Sequence, residues 1–165
     1  MTAIATDPAP EQTTAALPAT VDTRFGSFAV DPERVITFAP GPLGFADRKR
    51  FILADLPEPG VPFKLLQCLD DPELAFVVLP LDPREGPISA SDLEAACQAE
   101  AIARDALAVL GIVTVRAEDD GVHFTVNLRA PILIDTARRT ACQHVMADDQ
   151  YALRHPLPAT VDRAA

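Results

Sequence analysis

Cys142 and His144 come closest, by residue type and spacing, to a pair that could do chemistry in this chain. They lie two positions apart in a segment with strand character, so their side chains face the same side. They could form a thiol–imidazole pair or half of a metal site. Asp70 and Asp71 add two adjacent carboxylates, which could bind a cation or share a proton. No second pair at ligand spacing accompanies them, so strand packing for the first pair and a turn for the second are the simpler interpretations.

Other signatures of catalysis are missing from the sequence. None of the three serines lies in a Gly-x-Ser-x-Gly elbow. The glycines of the segment 41–44 are not followed by a Lys or Ser that opens a helix, as a phosphate-binding loop requires. These observations favour a surface that binds another protein over an active site, with no cofactor and no metal.

Two polar segments stand directly before apolar strands. The segment 67–72 (Gln-Cys-Leu-Asp-Asp-Pro) precedes the apolar run 74–79, and the segment 125–131 (Thr-Val-Asn-Leu-Arg-Ala-Pro) precedes 132–134. The run 74–79 is nearly continuous, which predicts a strand buried on both faces. Polar groups held beside buried strands, without a nucleophile or a ligand cluster, indicate a protein-binding surface.

The charge balance limits the class of partner. The chain of 165 residues has 24 acidic and 14 basic residues and a formal net charge of −10. Nucleic-acid binding needs a basic face, and the densest basic stretch is only residues 48–50, so direct binding of nucleic acid is not expected. The acidity could steer a basic partner towards the protein or could serve only to keep it in solution.

Cysteine usage and hydropathy predict a cytoplasmic protein. Cys68, Cys97 and Cys142 form no Cys-x-x-Cys pair, which is typical of buried thiols in a reducing compartment. The N-terminal residues lack the basic region and continuous apolar core of a signal peptide. The longest apolar run, 106–113, is too short to span a bilayer, so no membrane segment is expected.

Turn signals alternate with short apolar runs along most of the chain. Ser91 and Glu94 have capping-box spacing and predict one helix that runs to about Ala103. We predict a disordered tail at residues 1–20, one domain at 21–158 and a C-terminal tail at 159–165. The pattern favours a mainly β fold, a small antiparallel barrel or sandwich with one short helix.

The segment 122–128 shows the clearest alternation. It follows an acidic hairpin loop that ends in Asp120-Gly121, and further strands are predicted at 132–134 and 140–146. Alternate residues of a strand point to opposite faces. The residues predicted to face the core are Val122, Phe124, Val126 and Leu128.

A set of motifs occurs in a fixed order along residues 21–157. They are Thr23-Arg24-Phe25-Gly26; Phe38 with Gly41, Gly44 and Phe45; Arg50-Phe51; Leu66-Gln67 with Asp70-Asp71-Pro72, Ala75 and Phe76; Thr125-Val126-Asn127-Leu128 with Ala130-Pro131-Ile132; and Tyr151 with Arg154-His155-Pro156-Leu157. In this order the motifs resemble the FliW family of bacterial flagellar assembly factors. The chain departs from the family pattern at Pro42-Leu43, where the order is reversed, at Asp135, where Asn is usual, and at Ala141, where Gly is usual.

The resemblance implies a small β-barrel-like fold, no enzymatic activity and two alternative protein partners. One partner is flagellin, which the family holds in the cytoplasm before export. The other is the carbon storage regulator CsrA, an RNA-binding dimer that represses flagellin translation. Free protein would bind and antagonise CsrA, and flagellin would compete for it. The free protein is expected to be a monomer.

The predicted contact residues lie at turns or on the non-core faces of strands. They are Phe45, Gln67, Asp70, Asp71 and Asn127. Two alternatives stay open. One is a small barrel enzyme or cofactor- or metal-binding protein that uses Cys142, His144 and the Asp pair. The other is an adaptor for an unrelated basic protein.

Overall fold

The structure, a computed structural model, describes residues 17–56 and 61–158. The strands in these ranges are β1 Thr20–Thr23, β2 Gly26–Ala29, β3 Ile36–Phe38, β4 Arg50–Asp55, β5 Lys64–Cys68, β6 Ala75–Leu81, β7 Leu107–Glu118, β8 Gly121–Asp135, β9 Thr140–Gln143 and β10 His155–Pro156. One α-helix, α1, covers Ala90–Glu100, and short 3₁₀ helices cover Pro32–Arg34 and Arg104–Ala106. The predicted C-terminal tail and residues 1–16 of the predicted N-terminal tail lie outside the described residues, whereas β1 begins within the stretch predicted as tail.

Seven strands close into a barrel. Their order is β8-β7-β6-β5-β4-β3-β9, and β9 pairs back to β8. Neighbours are antiparallel except β3 and β9, which are parallel with Thr37 opposite Thr140. The prediction of a mainly β, small antiparallel barrel-like domain with one short helix is confirmed.

Alternate residues of the strands fill the barrel interior. Phe38, Phe51, Leu66 and Ile132 are fully buried there. The rings of Phe38 and Phe51 pack edge to face with centroids 5.0 Å apart. Each such side chain stabilises the fold by about 1.5–3 kcal/mol when it leaves water. Apolar alternation on facing strands therefore stabilises the closed barrel.

Two further apolar layers cover the outside of the barrel. Helix α1 packs Leu93 and Cys97 against β6, β7 and β8, and the C-terminal segment adds Tyr151 to the same layer. A smaller cluster under the β1–β2 hairpin includes Val21 and Ile52 of β4. The helix, the C-terminal segment and the hairpin thus cover apolar parts of the outer surface of the barrel.

The N-cap of helix α1 lies two residues before the predicted one. Ser89 is the N-cap, and its hydroxyl oxygen accepts the amide of Asp92 at 3.2 Å. The Asp92 carboxylate accepts hydrogen bonds from the hydroxyls of Ser89 and Tyr151. The box predicted at Ser91 and Glu94 is wrong because Ser89 and Asp92 have the same spacing, and Tyr151 holds the Asp92 side chain at that position.

The helix also ends earlier than predicted. Ala101 adopts the left-handed conformation with φ 55° and ψ 44°. Its amide donates to the carbonyl of Cys97, which closes the last turn. The end predicted near Ala103 is wrong because a left-handed alanine, unlike a glycine, gives no signal in the sequence.

Strand β8 unites two strands that the sequence predicts separately. Ile132 pairs with Leu110, but Asn127 pairs with Ile112, so residues 128–131 form a bulge within one long strand. Gly111 lies opposite this irregularity. A Cβ at Gly111 would lie 2.3 Å from Cγ2 of Val126, so glycine permits the close approach of the two strands.

β6 and β8 are both less buried than predicted at the end of the barrel where the β7–β8 hairpin lies. Val126 and Leu128 are buried as predicted and Phe124 is half-buried, but Val122 is 49% exposed because the β7–β8 hairpin extends beyond the helix layer. In β6 only Val78 is fully buried. The predicted burial of 74–79 on both faces is wrong because β6 pairs with β7 only from Val78 onward.

Candidate functional site

One end of the barrel gathers most of the predicted contact residues. The β3–β4 loop (39–49), the β5–β6 turn (69–74) and the residues after β9 lie there, because β3 and β9 are parallel while β4, β5 and β6 alternate in direction. Residues 39–49, 69–74 and 143–145 are referred to as the rim surface. Residues 69–72 of the first polar segment lie in it, and the second polar segment is joined to it by hydrogen bonds from Gln143 to Ala130 and from His144 to Pro131.

Asp70 joins the two larger segments of the rim surface. Its Oδ1 accepts from Nε and Nη2 of Arg50 at 2.8 and 2.6 Å, and its Oδ2 accepts the Arg50 amide at 3.1 Å. Partial burial acts to raise the pKa of Asp70, but the hydrogen bonds from Arg50 and from the amide of Lys49 lower it below the ordinary value. The ionised carboxylate therefore holds the turn against the start of β4, and its role as a partner contact stays a prediction.

Asp71 and Phe45 are also partly accessible on the rim surface. Oδ1 of Asp71 accepts the amide of Glu73, and Oδ2 lies 3.6 Å from Nε of Arg48, with a third of the side chain exposed. Phe45 is 39% exposed, and the rest of its ring packs edge to face on Phe76 with centroids 5.7 Å apart. The Arg48–Asp71 contact holds the turn that carries Asp71 against the loop that carries Phe45.

Gln67 lies in a different environment from the one predicted. Its side chain is 0% exposed, and Nε2 donates to the carbonyls of Cys68, Pro72 and Leu74 at 2.9–3.1 Å. The expectation that Gln67 lies on an accessible face is wrong, because the carbonyls of the turn require a buried donor. Gln67 instead supports the turn that presents Asp71.

Asn127 shapes the bulge of β8. Its Oδ1 accepts the amides of Arg129 and Ala130, each at 3.0 Å. The carbonyl of Ala130 accepts from Nε2 of Gln143, and Oε1 of Gln143 accepts the amide of Leu43. The half-buried Asn127 is thus connected to the rim surface through Gln143, and its predicted partner contact remains a prediction.

Two residues of the rim surface are not among the predicted contact residues. Leu43, two residues before Phe45, is 57% exposed. Its position as an apolar residue inside a Pro- and Gly-rich loop could have indicated this exposure. Gln143 ties the loop to the bulge, but its partners are 100 and 13 residues away, so no local pattern marks it.

Cys142 and His144 do not form the reactive pair that their spacing suggests. Nδ1 of His144 lies 2.8 Å from Oε1 of Glu100 at the end of α1. Burial, with Glu100 nearby, raises the pKa of the Cys142 thiol to about 12. A thiol that stays protonated at neutral pH is a poor nucleophile and a poor metal ligand. The Asp pair is engaged by arginines on other elements.

Within the described ranges, one group of three side chains has ligand types close enough for a metal ion. The ligand atoms of Glu118, Asp120 and His123 lie within 4.8 Å of one another at the β7–β8 turn. The hydrogen bond to Asp120, 2.7 Å from Nε2, raises the pKa of His123 above its ordinary value. The contacts of His123 with both carboxylates account for the close approach of the three side chains.

The closed barrel defines the class of protein. Its rim surface presents exposed apolar side chains and a carboxylate. The side chains that could take part in chemistry are ion-paired, hydrogen-bonded or protonated. In residues 17–56 and 61–158 no helix has the length and apolar character needed to cross a membrane. The molecule belongs to the class of small closed-barrel proteins, and it has a net charge of −10.

Comparison with known proteins identifies the family. The FliW protein family model matches residues 19–157. The flagellar assembly factor FliW of Geobacter sulfurreducens is 38% identical over 140 residues, covering 81% of this chain and 82% of that protein. The one of Bdellovibrio bacteriovorus is 36% identical over 138 residues, covering 81% and 75%. A crystal structure of the flagellar assembly factor FliW superposes with a TM-score of 0.64 at 27% identity, covering 84% of this chain and 97% of that one. The chain belongs to the FliW family.

Proposed function

We propose that this protein is a non-enzymatic flagellar assembly factor and flagellin chaperone that acts in the cytoplasm. It binds flagellin before export and, when free of flagellin, binds and antagonises CsrA, which relieves the repression of flagellin translation. The observation that carries the proposal is the match of residues 19–157 to the FliW family, whose relatives are named flagellar assembly factors.

The composition of the rim surface supports binding of one of two protein partners at a time. Phe45 and Leu43 offer apolar area at the surface, and an aromatic ring in such a position is a frequent energetic centre of an interface. Asp71 is only partly neutralised, since the nearest atom of Arg48 is 3.6 Å away. A single compact surface of this kind supports competition, because two proteins that use it exclude each other.

The net charge of −10 supports CsrA as one of the partners. A protein that binds RNA carries basic surfaces, and opposite charge raises the association rate and favours the correct orientation. The same acidity disfavours direct binding of RNA by this protein. In this scheme a rise in cytoplasmic flagellin releases CsrA and shuts off further flagellin synthesis.

Titration calorimetry with purified flagellin and, separately, with CsrA tests the proposal. We expect binding of both at micromolar concentrations and moderate salt, and displacement of CsrA by flagellin. Phe45→Ala should weaken binding of at least one partner about tenfold, a typical effect of truncating a central aromatic residue. Asp71→Asn should weaken CsrA binding and reduce its salt dependence.

Matched controls lie elsewhere on the barrel. Leu53 is 37% exposed, close to the exposure of Phe45, but lies within β4. Asp55 is ion-paired with Lys64 at the other end of β4. Leu53→Ala and Asp55→Asn should leave both affinities within about twofold. Failure of either wild-type partner to bind would refute the proposal for that partner, and equal losses in test and control variants would refute the rim surface as the site.

A further inference from the structure

The ladder between β6 and β7 stops before either strand ends. It runs from Leu81 opposite Val109 to Val78 opposite Ile112. Beyond that pair β6 reaches back to Ala75 and is paired with β5 only, while β7 continues to Glu118 and is paired with β8 only. The gap between residues 75–77 and 113–118 is referred to as the notch.

The notch leaves backbone hydrogen-bonding groups without a partner strand. In an antiparallel strand, alternate residues direct their N–H and C=O groups to the same side. Every second residue of 113–118 therefore directs these groups into the notch, and among the described residues this stretch has no backbone pairing other than that with β8. Residues 114–118 are exposed to water. An open, accessible strand edge is the feature on which strand addition is built.

Apolar side chains flank the same edge. Val115 and Val122 are each 49% exposed on the β7–β8 hairpin. Across the notch, Phe76 and Val77 of β6 are only half-buried, although the sequence of this strand is apolar enough for burial on both faces. An added strand would cover side chains on both faces of the sheet, since its own residues alternate.

Charge selects the kind of segment that fits. Carboxylates stand on both sides of the open end of the notch: Glu73 on the β5–β6 turn, and Glu118, Asp119 and Asp120 at the hairpin. Arg116 is the basic side chain on the edge itself. A second copy of this chain would bring a net charge of −10 against the same charge, whereas a basic segment would be attracted.

We propose that the notch binds an extended basic segment of a partner protein, which adds to the free edge of β7 at residues 113–118 as a further strand. The backbone of the segment pairs with β7, its apolar residues cover the Val115 side, and its Lys or Arg residues contact the carboxylates at the open end. The inference does not depend on which protein supplies the segment, and it stands or falls separately from the proposed function.

Two synthetic peptides of equal charge test the proposal. The first is an eight-residue peptide of alternating lysine and valine, and the second is the same peptide with N-methyl groups on its two central residues, which blocks pairing along both of its edges. We expect the first to bind in fluorescence anisotropy and to slow amide hydrogen exchange in 113–118, and the second to bind at least tenfold more weakly. Equal binding of the two peptides, or no binding of the first, overturns the proposal.

Two adjacent proline variants locate the edge. Because neighbouring amides point to opposite sides of β7, one of Thr114→Pro and Val115→Pro removes an amide that faces the notch, and the other removes one that pairs with β8. The variant that keeps the wild-type Tm should bind the first peptide at least tenfold more weakly than wild type. Unchanged binding by that variant overturns the proposal. So does a concentration-dependent dimer, detected by light scattering, that protects 113–118 without peptide.

Discussion

Replacing the fully buried Gln67 by methionine should destabilise the protein by about 2 kcal/mol. Its Nε2 donates to three carbonyls. The Leu74 carbonyl keeps a second donor, the amide of Cys68 at 3.0 Å, so the carbonyls of Cys68 and Pro72 are the two that lose this hydrogen bond. Each costs about 1–2 kcal/mol, and removal of the unpaired Oε1 returns about 1 kcal/mol. Methionine fills a similar volume, so little cavity is added.

Gln67→Glu separates hydrogen bonding from shape. The carboxylate keeps the outline of the side chain but faces three carbonyl oxygens in a buried site. Desolvation and these acceptors raise the pKa of the introduced carboxyl in the folded state above its unfolded value. The loss of stability is therefore smallest at low pH and grows as pH rises through the pKa range of the group. We expect a loss of more than about 3 kcal/mol at pH 7, with partial recovery relative to wild type at pH 5.

Urea unfolding followed by circular dichroism measures both variants at pH 7 and pH 5. Gln98→Met, on the exposed face of α1, is the matched control and should change stability by less than about 0.5 kcal/mol. The m-values should stay equal, because the surface exposed on unfolding is the same. A Gln67→Met protein as stable as the control, together with a Gln67→Glu protein without pH dependence, would refute the reasoning.

Three further outcomes follow from the contacts described. Tyr151→Phe removes the hydroxyl that donates to Asp92 at the start of α1 and should cost about 1–2 kcal/mol in urea unfolding, whereas an unchanged midpoint would show that the contact is not stabilising. The His123 imidazole should titrate above 6.5 in an NMR experiment, because the hydrogen bond to Asp120 raises its pKa, and Asp120→Asn should lower the midpoint. The lowered pKa of Asp70 means that its stabilising effect is present above the unfolded pKa and is lost as pH falls through the folded pKa. Asp70→Asn should therefore cost about 1 kcal/mol at pH 7, and the difference from wild type should shrink below about pH 4.

Local patterns predict the elements of this fold well where period and turn chemistry agree. The alternation in 122–128 correctly predicts that Val126 and Leu128 are buried, and the Asp120-Gly121 pair correctly predicts a hairpin, with Gly121 at φ 136°. The predicted start of the helix is wrong because Tyr151, about 60 residues later in the chain, favours Ser89 over Ser91 as the cap. A competing cap of equal local quality is resolved only by such a distant contact.

The candidate site shows the same division between local and distant causes. The turn at Asp70 and Asp71 follows from residue types that accept backbone amides, and the order of motifs is sufficient to indicate the FliW family. Strand period alone cannot say whether a polar side chain faces water or lies beneath another segment. Gln67 is covered by its own turn and by the packing around it, and Gln143 gains its role from a loop 100 residues away.

By itself the sequence determined the mainly β class, the excess of acidic over basic residues and membership of the FliW family, because these depend on composition, period and motif order. Only the tertiary structure decided which polar residues of the two segments are accessible. It joined Asp71 to Arg48 of the β3–β4 loop, buried Gln67 as a support and ended the β6–β7 ladder at Val78. The physical reason is that exposure and unpaired backbone groups depend on which strands meet when the barrel closes, and that pairing joins residues far apart in the chain.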